Sequence, residues 1–217
     1  MKVYALWKDD GKYQYRWRTL LHFGDSDSWD IIGSVYMKNP GSATPIGEPD
    51  ASVLAKLKED FSSSIDGDWK EFDFSTDKTM QSIEQLFTEC YGDLNGVIQI
   101  FNLFNLKNQK LEDALKIINR GEENPMYLYT FDEDISHFVY PVYIGWGDLW
   151  KKSVFNKKKV ENAFVRAKAL AGIHWHLADA LDDPNNHYYH PKYLYVHPHK
   201  YDNDVTQEKQ SFINMVK

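Results

Sequence analysis

Apolar and polar positions along the chain form short runs whose period changes several times. Residues 3–8 and 13–23 carry two apolar runs around KDDGK, where Asp10-Gly11 supplies turn chemistry, so the chain is predicted to open with a β-hairpin. DIIGSVYM, 30–37, is apolar and β-branched, as a central strand requires. The polar stretch 46–74 reads as a variable insertion with one short helix around Ala51–Asp60. A helical period follows. Asp77 is a suitable N-cap, and Met80, Ile83, Leu86, Phe87 and Cys90 form one stripe behind it.

Gly92 and Asn95-Gly96 separate that helix from the strand run GVIQIFNLF. A second helix places Leu111, Ala114, Leu115 and Ile118 on one face and closes at Gly121. FVYPVYIGW, 138–146, is another strand run, with Pro141 restricting its early pairing. A long helical stripe runs from Val160 to Leu181, and KYLYVHP reads as a last strand. Strand and helix thus alternate from residue 30 to 198. The order predicts one α/β domain over 1–217: a three-layer sandwich with a largely parallel central sheet of 30–37, 96–103, 139–146 and 192–197, plus the N-terminal β-hairpin.

Charge and composition narrow the function classes. A formal net charge of −7 argues against a protein that coats nucleic acid by bulk electrostatics. The run Lys157-Lys158-Lys159 with Lys151 and Lys152 is the local exception and reads as a solvated helix start. The single cysteine, Cys90, excludes an intramolecular disulfide and reads as a packed thiol. No apolar run reaches membrane-span length and MKVYALWKDDGK lacks a signal-peptide core, so a cytoplasmic setting without membrane contact is expected. Aromatics reach 15%, which serves either a tyrosine-rich core and surface or stacking on planar ligands.

In open parallel sheets, ligands bind beyond the carboxyl ends of the strands. The candidate strands run into KNPGSATP, NLFNLKN and GWGDLW, and His190-Pro191 precedes the last one. Asn39, Asn102, Asn105, Asp148 and a histidine are therefore expected on one rim. Singly, each motif also reads as a turn, a splayed strand end or a close strand–helix contact. The histidine belonging to the rim is His190 or His197; His174 falls in a helical stripe with Ala167, Leu170, Ala171 and Leu177 and is expected in the core.

A metal centre is disfavoured. His174 and His176 are two apart on a helix and point to different faces, and neither the pair His197/His199 nor His187/His190 has cysteine or matching carboxylates nearby. No cofactor is expected. The GxSxG elbow of serine hydrolases and the glycine-rich phosphate loops are absent.

The strings NPGSA at 39–43, DKTM at 77–80, NLF at 102–104, WG at 146–147 and HPKYL at 190–194 together resemble a bacterial and phage domain-of-unknown-function family. Its members carry Asn-Pro-Ser-Thr-Ala, Asp-Pro-Thr-Ile, Asn-Leu-Phe, Trp-Gly and His-Pro-Leu-Tyr-Leu in the same order. More distantly, the chain is similar to the uracil-DNA glycosylase superfamily, itself a parallel α/β sandwich with motifs at strand ends. One branch carries Asn-Pro-Gly after its first core strand, and another ends a strand with an asparagine that reads a base edge.

That resemblance implies a flipped base held in a tight pocket. Asn39 would orient water, Asn102 would read the base and His190 would assist the leaving group, which makes Asn39 and His190 the catalytic candidates. Pro40, Gly41, Ser42, Asn105, Gly147 and Asp148 would complete the ligand site, with Phe104 or Trp146 as stacking face. The implied partners are a nucleobase, a nucleotide, or single-stranded or flipped-base DNA. HPKYL at 190–194 is similar to the superfamily's His-Pro-Ser-Pro-Leu loop, and Lys192-Tyr193 departs from its small Ser-Pro. A non-catalytic nucleotide or small-ligand module of a phage or mobile element is the alternative, and a structural partner whose motifs are only turns is a third.

Overall fold

The computed structural model describes residues 1–24, 27–73, 75, 77–147, 149, 158, 161–162, 165–166, 169, 189–195 and 202–217. The expected long helix over 160–181 lies almost wholly outside these residues, as do Asp148, His174, His176, His187, His197 and His199.

Among the described residues seven strands form one sheet: β1 Lys2–Asp9, β2 Gln14–Phe23, β3 Ile31–Met37, β4 Pro45–Gly47, β5 Asp68–Phe72, β6 Gly96–Asn102 and β7 Val142–Ile144. Their spatial order is β4-β5-β1-β2-β6-β3-β7. The expected hairpin is present as β1–β2, and its turn is fixed by carboxylates: Gly11 N donates to Asp9 Oδ1 at 2.9 Å and Tyr13 N to Asp10 Oδ1 at 2.7 Å.

The largely parallel sheet is corrected to a mixed one. Only β6–β3 and β3–β7 pair parallel; β1–β2, β1–β5, β2–β6 and β4–β5 are antiparallel. Strands joined by a tight turn must run antiparallel, and the hairpin docks into the sheet beside β6. The polar stretch 46–74 supplies β5, part of β4 and helix α1 Ala51–Asp60, so it extends the sheet.

A second correction concerns the last strand. Residues 192–195 are helical, in the short helix α6 Pro191–Tyr195, counted in chain order after α2 Lys78–Tyr91, α3 Leu111–Arg120, α4 Pro125–Leu128 and α5 Phe131–Ser136. Proline is pre-organised for a first helical position, Tyr193 N donates to the His190 carbonyl at 2.8 Å, and Pro191 and Leu194, three apart, are the buried pair. So short an apolar run does not distinguish strand from helix by period.

Helices cover both faces. α2 starts at Asp77, whose Oδ1 accepts from Thr79 N at 2.9 Å and Met80 N at 3.1 Å, and buries Met80, Ile83, Leu86, Phe87 and Cys90. Burying each large side chain contributes about 1.5–3 kcal/mol. α6 and the C-terminal helix α7 Asp202–Val216 pack against α2, and the Phe87 and Phe212 rings lie 5.7 Å apart. On the opposite face Tyr36 meets Phe131 of α5 at 6.4 Å and Trp146 at 5.3 Å. Burial pushes the Cys90 thiol up to about 11, as suits a packed side chain. Among the described residues no helix is long and apolar enough to cross a membrane.

Candidate functional site

Because β3 and β6 run parallel with Met37 opposite Asn102, their carboxyl ends share one edge, and Leu103 N donates to the Met37 carbonyl at 2.9 Å. β2 runs the other way beside β6, with Thr19 opposite Ile100, so the start of β2 reaches the same edge. A cavity of about 110 Å³ opens there. It is lined by Met37, Asn39, Pro40 and Gly41 from β3 and its loop, Ile100 and Asn102 from β6, and Arg16 and Thr19 from β2. Asp77, Thr79 and Met80 at the start of α2, with His190 just before α6, complete the wall.

Strand alternation explains Ile100 with Asn102 but not Arg16 with Thr19, which differ in parity. A β-bulge explains the second pair. Tyr4 pairs Leu20 while Leu6 pairs Trp17, so Arg18 and Thr19 together oppose Ala5. The extra residue, Arg18, sits at φ 45°, a sparsely populated conformation for a side chain of its size. The bulge turns Thr19 onto the face that Arg16 already occupies.

Arg16 is 5% exposed and donates from Nη2 to the Pro40 carbonyl, while its Nε and Nη1 have no partner. Desolvation pulls its guanidinium down to about 10, against the opposing pull of Asp77, so it remains charged at neutral pH. Thr19 Oγ1 is also buried without a partner.

His190 retains some residue exposure, yet its imidazole is desolvated and lies near Lys38 and Lys192. Both effects, desolvation first, push its pKa down to about 3. The ring is therefore neutral at physiological pH. Lys192 N donates to Nδ1 at 3.3 Å, which leaves the proton on Nε2 as a donor.

The peptide before His190 is clamped from behind. Tyr189 N donates to the Glu208 carboxyl at 3.2 and 3.3 Å, and Tyr143 Oη lies 2.7 Å from the Tyr189 carbonyl and 2.9 Å from Glu208 Oε1. One hydroxyl proton cannot serve both acceptors. Burial raises Glu208 to about 8, so the protonated carboxyl donates to Tyr143 while Tyr143 donates to Tyr189. Gly145 completes the support, because a Cβ there would meet Pro191 Cδ at 2.7 Å.

Asn39, Pro40, Gly41, Asn102 and His190 are thus brought together, and the Asn39 and Asn102 amides make no hydrogen bond to the described residues. Ser42 is exposed and outside the lining. Phe104 and Trp146 are fully buried in the core and present no face to the cavity, and Gly147 is buried away from it. Asn105 is also buried elsewhere; its Nδ2 donates to the Tyr127 carbonyl at 3.1 Å and to Thr130 Oγ1 at 3.2 Å, which gives it a structural task. Asp148 lies outside the described residues. Met37, Met80 and Ile100 supply the apolar walls in place of an aromatic ring.

Arg16, Thr19 and Asp77 are lining residues that strand-end logic does not reach. The signal for Arg16 exists in QYRWRTLLHF, where two arginines alternate with the large aromatics Tyr15 and Trp17. Among the described residues no group of three or more histidine, cysteine or carboxylate side chains could hold a metal ion. No family model, no curated protein and no solved structure matches the chain.

Proposed function

We propose that this chain recognises a nucleobase-sized ring in the cavity at the carboxyl ends of β3 and β6, and that its fold is a variant of the uracil-DNA glycosylase-like sandwich in which an antiparallel half extends the parallel strands. The observation that carries the reading is the convergence of Asn39, Asn102 and His190, from three distant segments, on one small cavity with unused hydrogen-bonding groups. Size supports it. Pockets for drug-sized ligands run to about 300–1,000 Å³, and a cavity of about 150 Å³ holds benzene. About 110 Å³ suits one small ring entering from the rim, with any sugar or phosphate left outside. Asn102 offers a carbonyl and an amide to a base edge, and Gly41 keeps the opposite wall free of a side chain.

A second reading, hydrolysis of an N-glycosidic bond, is favoured by the neutral His190. Its Nε2–H can donate to an oxygen of the departing base without first acquiring a proton. Water, oriented by Asn39, would add to the sugar carbon while the carbon–nitrogen bond breaks toward the base, the water proton passing to solvent. An amide orients water but does not deprotonate it, so slow turnover is expected.

The test is a thermal-shift screen of free bases, nucleosides, nucleotides and single-stranded oligonucleotides. The reading expects free bases or nucleosides to stabilise the chain. Stabilisation by none of these compounds would overturn it.

A further inference from the structure

We propose that the Arg16 end of the cavity is a subsite for an oxyanion, a carboxylate or phosphate group of the ligand. The inference rests on the cavity being a ligand site, and not on that ligand being a base.

The cavity holds a buried cation whose donors are mostly unused. Arg16 gives one bond, to the Pro40 carbonyl, and its Nε and Nη1 are buried without partners. Arginine carries five N–H donors and no acceptor, so only something that accepts hydrogen bonds can complete it. Thr19 Oγ1, buried and unpartnered on the same wall, adds a further donor. His190 contributes Nε2–H from the opposite segment.

Among the described residues no carboxylate forms an ion pair with Arg16. Asp77 faces the same cavity, but its Oδ1 is committed to Thr79 N and Met80 N, and the 14-residue helix α2 presents its positive end there. Lys38 and Lys192 act on His190 from nearby, and Lys107, bound to Gln14 Oε1 at 3.0 Å, has its pKa lowered by desolvation first and by the nearby Arg16 second. Asp77 and the Phe72 ring, 5.2 Å from the Arg16 Cζ, offset part of the charge but fill neither Nε nor Nη1, whereas a carboxylate or phosphate would pair with the guanidinium in the geometry it favours.

The experiment is calorimetric titration of the full chain with inorganic phosphate and, separately, sodium acetate, at pH 7 and constant ionic strength. Saturable binding of at least one anion is expected, weakened tenfold or more in Arg16→Gln and partly retained in Arg16→Lys. Phosphate alone saturating identifies a phosphate subsite, and acetate alone a carboxylate subsite. Should the variants not fold, the Arg16 Nε–H resonance of the unaltered chain must shift with the same midpoint as the calorimetric titration. Neither anion saturating, undiminished binding in Arg16→Gln, or an unmoved resonance overturns the proposal. Free bases and nucleosides titrated in the same buffer separate the two readings: binding of any of them without anion binding removes the subsite and leaves base recognition standing, and anion binding without binding of any of them removes base recognition alone.

Discussion

Arg16 donates to the carbonyl oxygen of Pro40, and that bond joins strand β2 to the loop after β3 across the mouth of the cavity. It makes the Asn-Pro-Gly loop part of the sheet edge as well as a turn. Because Nε and Nη1 are unpartnered, Arg16→Met removes a buried charge that makes no ion pair with the described residues, along with one hydrogen bond. The two effects oppose, at about 1 kcal/mol for the bond and more for the charge. Thermal melts should show unchanged or raised stability without ligand, together with weaker ligand binding.

Glu208 should impose a pH dependence with a definite sign. Its folded pKa of about 8 lies above the ordinary 4.5, so between those values the folded chain holds a proton that the unfolded chain has lost. Its contribution is fully present below the unfolded pKa and is lost as pH rises toward 8. Glu208→Gln keeps a donor for Tyr143 and an acceptor for Tyr189 without titrating. The melting temperature of the variant relative to the parent should therefore climb from pH 5 to pH 8; a constant difference would contradict this assignment.

His190 carries the opposite sign. Its folded pKa of about 3 lies below the ordinary 6.5, so its contribution is present above 6.5 and declines as pH falls toward 3. Ligand affinity should not break near pH 6.5, and NMR titration should find the His190 ring neutral at pH 5 with its proton on Nε2. Protonation near 6.5 would show that the ring is hydrated and its role misassigned.

Gly145→Ala should disturb the site through its supports, and through Met37 of the cavity wall, whose Sδ would lie 3.3 Å from the added methyl. The added methyl would lie 2.7 Å from Pro191 Cδ and 3.1 Å from the Tyr143 ring, the two groups that position the segment carrying His190. Overpacking of this kind costs about 1–3 kcal/mol. Loss of both stability and ligand affinity is expected by melting and titration; full affinity at normal stability would mean that the placement of α6 does not govern the site.

Much of the cavity was legible because strand ends in α/β sheets are where ligands sit. Asn39, Asn102 and His190 each lie at a predictable break between an apolar run and a polar one. Helix α2 was legible from its cap and stripe, since both are local. Pairing is not local: the Asp10-Gly11 turn announces the antiparallel pair β1–β2, but nothing in LLHF or IIGSVYM states that β2 lies antiparallel beside β6 or that β4 and β5 extend the sheet. Arg16 is not legible as a site residue, because its place depends on that pairing and on the bulge at Arg18. Phe104 and Trp146 looked available for stacking because sequence shows an aromatic ring but not what already covers it. The strand expected at 192–197 failed for a run too short to show its period.

Whether Asn102 serves a ligand and not the fold is decided by calorimetric titration of free bases and nucleosides into the parent and Asn102→Ala. The amide is buried in a cavity wall with no hydrogen bond to the described residues, so its removal should leave the melting temperature within about 2 °C, while the lost ligand bond of about 1–1.5 kcal/mol weakens affinity roughly tenfold. A variant that unfolds, yet binds with parental affinity in its folded fraction, would show that Asn102 is a structural residue and that the rim of β3 and β6 is not a base-binding site.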